Sequence, residues 1–192
     1  MGMYLFSVGA EDWFDDSEGG WAETAMALNA ELERLGLPPY HPGPAATSDP
    51  STSFEEKLVP PMDGFSILGG QHLSTQEFEI LCSWTVLVPV SLDHPIHLPI
   101  ESRYTESTTI AGAPQVQAIA EKLASAIALP SEVPSAPHNL DLTSWFLDGP
   151  AKDLAATHPG QWTNDLDASF YVALYLRAAQ HSLHHQTPIT YS

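Results

Sequence analysis

The stretch SWTVLVPV, residues 83–90, is the best candidate for a central strand in this chain. It is short and apolar, and it contains the β-branched and aromatic residues that favour buried strands. Proline has no backbone N–H to donate, so Pro89 indicates that the strand ends or bulges near an edge of the sheet. The stretch therefore predicts a β-sheet at the centre of the fold.

Four other segments have the composition of strands. MYLFSVGA is a short apolar run with aromatic and β-branched residues, and GFSILGG is a short apolar run between glycines. HPIHLPI and YTESTTIAG come after the central candidate, and the second of them is rich in threonine. The four segments are residues 3–10, 64–70, 94–100 and 104–112. Several short neighbouring strands favour a mixed or antiparallel sheet.

An amphipathic helix is predicted over residues 20–35. Its apolar residues recur at intervals of three and four, which places them on one face of the helix. These residues are Trp21, Ala25, Leu28, Leu32 and Leu35. Gly36 is a suitable residue after the last turn, and the prolines that follow prevent the helix from continuing.

Other helices are predicted farther along the chain. Ser74 and Glu77 have the spacing of a capping box, so a short helix begins there. Pro114 suits the first turn of a helix that ends at Pro130. Two further helical patterns cover residues 150–157 and 165–184.

Strands mixed with helices predict an α/β or α+β fold. The chain has 192 residues, enough for a single domain with a substantial core. We expect a mixed or antiparallel central sheet flanked by helices, with a helical C-terminal segment. Residues 1–130 would form the α/β core, including a Pro-rich loop over residues 37–53. Residues 131–192 would supply a Pro-rich linker and C-terminal helices packed on the same core.

The charge of the chain is strongly one-sided. There are 24 Asp and Glu against 6 Lys and Arg, a formal net charge of -18. Binding to nucleic acid or to an anionic membrane surface needs clustered Lys and Arg, so neither partner is expected. Such a field attracts basic proteins instead, although acidity that serves solubility alone is the competing interpretation. Every residue before Arg34 is acidic or uncharged, so we expect an acidic N-terminal face.

The most acidic stretch is EDWFDDSEGGW, residues 11–21, called here the acidic segment. Asp16 or Ser17 could cap the helix that follows, with help from Glu18 and Glu23, because carboxylates are favourable at the positive end of a helix. Capping accounts for one or two of the five acids. The others are expected to face solvent or a partner.

Candidate partner-binding residues lie within the acidic segment: Asp12, Trp13, Asp15, Asp16 and Glu18. Two interpretations of its aromatic residues remain open. Trp13 and Phe14 pack beneath the loop, or an aromatic side chain is exposed amid the charge as an interface anchor.

The motifs of several enzyme classes are incomplete. GFSIL lacks the last glycine of the nucleophile elbow, and Gln71 stands where a phosphate-binding loop needs lysine. Cys82 is the only cysteine, so no intramolecular disulfide is possible, and a buried, inert thiol is expected. No cofactor is predicted.

Histidines near the end of the chain suggest a weaker alternative. His181 and His185 are four residues apart in HSLHH, which places both on one helix face, as in many metal sites. FSVGAEDWF and HSLHH also resemble the acidic and HxxxH segments of metal-dependent polysaccharide deacetylases. The resemblance implies a metal held by these histidines and by Asp12 or Asp15.

These observations favour an interaction protein over an enzyme. The expected function is inhibition of a basic protein partner, as by a bacterial immunity protein or antitoxin that neutralises a toxin. The alternatives are a metal-dependent hydrolase or metal-binding domain that uses the C-terminal histidines, and a structural or regulatory domain without chemistry. The N-terminus lacks the pattern of a signal peptide, so a cytoplasmic location is expected.

Overall fold

A computed structural model describes residues 2–17, 20–43, 53–102, 104–136 and 139–192. Six strands occur in these ranges: β1 (Met3–Ser7), β2 (Glu55–Leu58), β3 (Val86–Val88), β4 (Ile96–Leu98), β5 (Thr108–Gly112) and β6 (Ile189–Tyr191). The α-helices of the same ranges are α1 (Ala10–Trp13), α2 (Ala22–Arg34), α3 (Asp63–His72), α4 (Thr75–Cys82), α5 (Ala113–Ala126), α6 (Asp141–Leu147), α7 (Pro150–Thr157) and α8 (Leu166–His185). The chain is therefore an α/β protein.

The strands form one mixed sheet in the order β2-β1-β6-β3-β5-β4. β3 and β5 are parallel, and the other neighbouring pairs are antiparallel. The predicted central strand is confirmed, because Val86, Leu87 and Val88 are fully buried. The sheet is mixed, as one of the two predicted arrangements requires.

Helices cover both faces of the sheet. On one face, α8 and α5 pack against each other and beneath the sheet, where Leu5 and Leu87 point into the same apolar cluster. On the opposite face, Val86 and Val88 contact the cluster formed by α1 and α2. Alternate residues of a strand point to opposite faces, so β3 contributes to both cores.

The amphipathic helix over residues 20–35 is confirmed as α2. Ala25, Leu28 and Leu32 are buried, whereas Leu35, just past its end, is half exposed. The capping box is also confirmed at the start of α4. The Ser74 hydroxyl accepts the Glu77 N–H at 3.2 Å, and the Glu77 carboxylate accepts the Ser74 N–H at 2.7 Å.

The predicted strand over residues 64–70 is wrong, since these residues form most of α3. Phe65 and Gly69, four residues apart, are buried on one face of that helix. A Cβ at Gly69 would collide with the Phe78 ring, so this glycine permits close helix packing rather than a turn. Helical periodicity outweighs the flanking glycines here.

Residues 139–192 supply α6, α7 and α8, as the predicted helical C-terminal segment requires. They also supply β6, which the sequence did not predict. This short strand lies between β1 and β3 and completes the middle of the sheet. The last residues of the chain thus lie beside the first strand, and the Tyr4 and Ser192 backbones exchange two hydrogen bonds of 3.0 and 2.9 Å.

The predicted Pro-rich loop lies partly outside the described residues, at 44–52. Residues 37–43 contain no helix or strand. Tyr40 anchors this part, because its backbone N–H donates to Asn29 Oδ1 at 2.7 Å and its hydroxyl donates to the Gln186 carbonyl at 3.0 Å. Burial raises the Tyr40 pKa, so the hydroxyl is neutral and can donate.

None of the described helices is both long enough and apolar enough to span a membrane.

Candidate functional site: the acidic segment and its surroundings

The acidic segment begins in α1, directly after β1, and is attached to the core by Trp13. This side chain is 0% exposed. Its ring stacks on Trp21 at a centroid distance of 6.3 Å and meets the edge of Tyr40 at 6.0 Å. The interpretation that Trp13 packs beneath the loop is confirmed, and its alternative role as an exposed anchor is wrong.

Phe14, in contrast to Trp13, lies at the surface. Its side chain is 49% exposed and lies beside the His41 ring at 5.9 Å. The expectation that Phe14 packs beneath the loop is therefore wrong. Because Trp13 fixes the backbone and Phe14 follows it directly, an exposed aromatic ring is held among the acidic residues.

The carboxylates of the segment face solvent. Glu11, Asp12, Asp15 and Asp16 are all exposed. No Lys, Arg or His of the described residues is within salt-bridge distance of any of them. Glu18, the remaining predicted partner-binding residue, lies outside the described residues. The described part of the segment therefore displays negative charge that no other described residue neutralises.

Asp15 also organises the turn. Its carboxylate accepts the Ser17 N–H at 3.0 Å and the Ser17 hydroxyl at 2.6 Å, and these bonds lower the Asp15 pKa below its ordinary value. The Asp15 carbonyl accepts the Ala22 N–H at 3.1 Å at the start of α2. A Cβ at Gly20 would collide with this carbonyl, so the close approach requires glycine.

The predicted side-chain cap of α2 is wrong for Asp16 and Ser17. The N-cap residue is Trp21, which makes no side-chain cap bond, and the Asp15 backbone carbonyl accepts from the first turn instead. Glu23 does lie in the first turn, where its charge is favourable. Neither Asp12 nor Asp16 caps α2, and both side chains are exposed and accessible to a partner.

A small cavity of about 210 Å³ opens beside the segment. Asp12 and Asp15 line it together with Phe6, Val8 and Trp21. Within the described ranges, no three His, Cys, Asp or Glu residues converge as metal ligands would. Two carboxylates that line one cavity suit the ammonium or guanidinium group of a partner side chain.

The predicted metal pair lies elsewhere, on the last turns of α8. The His181 and His185 rings are 4.4 Å apart between centroids, so the two histidines do share a face. His181 packs against Phe54 at 5.5 Å, and burial lowers the His181 pKa to about 3, with a smaller contribution from His185 and His184.

The described residues bring no third ligand to this pair, and neither Asp12 nor Asp15 forms a metal-ligand group with it. The ligand set that the deacetylase resemblance implies is therefore not assembled. The other histidines with close spacing, His94 and His97, are exposed, and His97 Nδ1 lies 3.1 Å from the Thr109 hydroxyl.

One buried carboxylate escaped the sequence analysis. Glu56, in β2, is 0% exposed, and burial raises its pKa against the opposing effect of its hydrogen bonds. Its two oxygens accept the backbone N–H groups of Leu142 and Thr143, each at 2.8 Å, and the Thr143 hydroxyl at 2.7 Å. Glu56 thus binds the first turn of α6, which is a structural role.

The sequence analysis also missed a cleft at one end of the sheet, called here the apolar cleft. It encloses about 320 Å³. Its walls are mostly apolar and aromatic, and the side chains include Met3, Leu58, Met62, Trp84, Tyr104 and Tyr191. Trp21 lines both this cleft and the cavity that contains Asp12 and Asp15, so the cleft and the cavity lie side by side.

Cys82 lies in the wall of the apolar cleft. Burial raises its pKa to about 12, which keeps the thiol protonated at neutral pH and agrees with the predicted inert cysteine. The cleft residues come from seven separate parts of the chain, and no sequence pattern links them.

The fold and these features define a mixed α/β protein with an acidic surface segment next to an apolar cleft. Comparisons with family models, with curated proteins and with solved structures found no match to this chain.

Proposed function

We propose that this chain is an acidic interaction protein that binds and inhibits a basic protein partner, in the manner of a bacterial immunity protein or antitoxin that neutralises a toxin. The observation that carries the proposal is the set of exposed carboxylates around Phe14 in the acidic segment, none of which pairs with a basic group of the described residues. Negative charge of this density steers a basic partner into a fast encounter.

The two parts of the segment have different roles in this proposal. Asp12, Asp15 and Asp16 provide the charge, and the half-exposed Phe14 ring provides apolar contact area. Trp13 supports the surface from beneath rather than contacting the partner. Aromatic side chains that become buried on binding often contribute most of the affinity, whereas charges at the rim chiefly raise the association rate.

A cytoplasmic location belongs to the same proposal. A single cysteine leaves no possibility of an intramolecular disulfide, which is typical of proteins from reducing compartments. The partner would be a basic protein encountered there.

The test uses Asp12→Lys combined with Asp16→Lys. Their side chains are exposed and make no hydrogen bond with the described residues of the turn, whereas the Asp15 side chain binds Ser17. The tagged protein would capture its partner from the lysate of its own host, with elution in a salt gradient and identification by mass spectrometry. We expect the double substitution to weaken binding of that partner by about 100-fold, because two attractive charge contacts become repulsive.

The matched control is Asp148→Lys combined with Asp153→Lys. It makes the same change in net charge at exposed positions around α7. We expect the control to retain most of the affinity. Equal loss in both variants would show a non-specific effect of net charge, and unchanged affinity in the first variant would contradict the proposed surface.

A further inference from the structure

We infer that the apolar cleft receives an aliphatic or aromatic side chain of the partner, from a segment in which lysines or arginines flank that side chain. The inference deepens the proposed function and rests on it, because the occupant is part of the basic partner. It adds a second contact next to the acidic segment and specifies the local sequence of the partner.

The chemistry of the cleft wall favours an apolar occupant. No charged side chain of the described residues lines it. Its threonine hydroxyls already have partners: Thr190 donates to the Thr85 carbonyl at 3.0 Å, and Thr85 donates to the Thr109 carbonyl at 3.2 Å. The Tyr175 and Tyr191 hydroxyls lie 3.4 Å from each other. An occupant gains little by hydrogen bonding there, so an apolar group is favoured.

Large side chains at the rim of the cleft are exposed. Met3 is 39% exposed and Tyr104 is 48% exposed, and both line the cleft. Trp84 and Tyr191 form the wall below, with their ring centroids 5.2 Å apart. When a partner covers large apolar side chains around a concave site, burial of their surface stabilises the complex. The volume of about 320 Å³ is at the lower end of ligand pockets, which suits one or two side chains.

Charge complementarity identifies the occupant of the cleft. Since Trp21 separates the cleft from the cavity lined by Asp12 and Asp15, residues beside a bound anchor would lie near these carboxylates. Flanking lysines or arginines are attracted at this position. A second copy of the chain is disfavoured, because each copy carries a formal net charge of -18 and the copies repel each other.

The test measures binding of fluorescein-labelled peptides by fluorescence anisotropy. In three peptides, lysines flank one central leucine, tryptophan or serine, and in a fourth, serines flank a leucine. We expect the leucine and tryptophan peptides with lysines to bind about tenfold more tightly than the serine peptide, because burial of an apolar anchor adds affinity to that of the lysines.

The cleft variant is Met3→Ala combined with Tyr104→Ala, and its matched control is Met26→Ala combined with Leu147→Ala. All four side chains are exposed, and the control pair lies outside the cleft. We expect the cleft variant to bind all lysine peptides equally and the control to keep the tenfold preference. Circular dichroism would establish that both variants are folded.

Failure of the inference and failure of the proposed function give different results. Equal, salt-sensitive binding of the leucine and serine peptides with lysines would overturn the inference and leave the proposed function standing. Absence of salt-sensitive binding by every lysine peptide would contradict both. Equal binding of leucine peptides with and without lysines would identify a site for neutral apolar ligands and overturn the inference. Sedimentation velocity would also overturn the inference if the wild type is a dimer and the cleft variant is a monomer, because the cleft would then serve self-association.

Discussion

At the scale of the residue, His181 is a histidine that the fold keeps neutral. Burial lowers its pKa from 6.5 to about 3, so the unfolded chain takes up a proton at a higher pH than the folded chain does. The free energy of unfolding therefore decreases as pH falls from about 6.5 to the pKa of folded His181, because protonation of His181 favours the unfolded chain in this range. The loss between pH 7 and pH 5 amounts to about 2 kcal/mol.

His181→Leu tests this prediction, because leucine fills the apolar site beside Phe54 without a titrating group. Urea unfolding at pH 7 and at pH 5 should show a smaller decrease in the free energy of unfolding for the variant than for the wild type. The exposed His94 provides the control, His94→Leu, which should keep the wild-type decrease. An unchanged decrease in His181→Leu would show that other groups cause the acid sensitivity.

At the scale of the element, Glu56 attaches α6 to the edge of the sheet. Glu56→Gln replaces one carboxylate oxygen by an NH2 group that cannot accept the N–H of Leu142 or Thr143. A buried donor then loses its partner, so we expect the free energy of unfolding to decrease by about 1–3 kcal/mol. Chemical denaturation measures this change.

The neighbouring Glu55 gives a matched control for this element. It is exposed, so Glu55→Gln should alter stability by less than about 0.5 kcal/mol. Hydrogen exchange should also show faster exchange of the Leu142 and Thr143 amides in Glu56→Gln alone. Equal stability of the two variants would mean that the bonds from Glu56 to α6 contribute no net stability.

The elements that the sequence predicts are those with a strong local pattern. The apolar periodicity of α2 and the capping box of α4 are local, and both are confirmed. β2 was missed because its sequence, EEKL, is mostly charged, and its buried Glu56 is explained only by contact with the distant α6. β6 was missed because three residues after a long helix carry too little pattern.

The sequence could likewise predict one part of the candidate site but not the rest. The acidic segment is continuous in sequence, so its exposed carboxylates could be predicted. Which of the adjacent Trp13 and Phe14 is buried could not be predicted, because that choice depends on Trp21 and Tyr40 packing on Trp13. The apolar cleft combines residues from Met3 to Tyr191 and exists only in the folded chain.

At the scale of the whole molecule, the formal net charge of -18 acts against the compact state, because folding brings like charges together. Raising NaCl from about 0.01 M to about 0.1 M shortens the screening length from about 30 Å to about 10 Å. If this stabilises the fold by about 1 kcal/mol, Tm rises by about 2–4 °C for a chain of this size. Calorimetry at pH 7 measures the shift. KCl at equal ionic strength should give the same increase in Tm, since screening does not depend on the identity of the cation. A Tm that is constant or falls with added salt would contradict net self-repulsion.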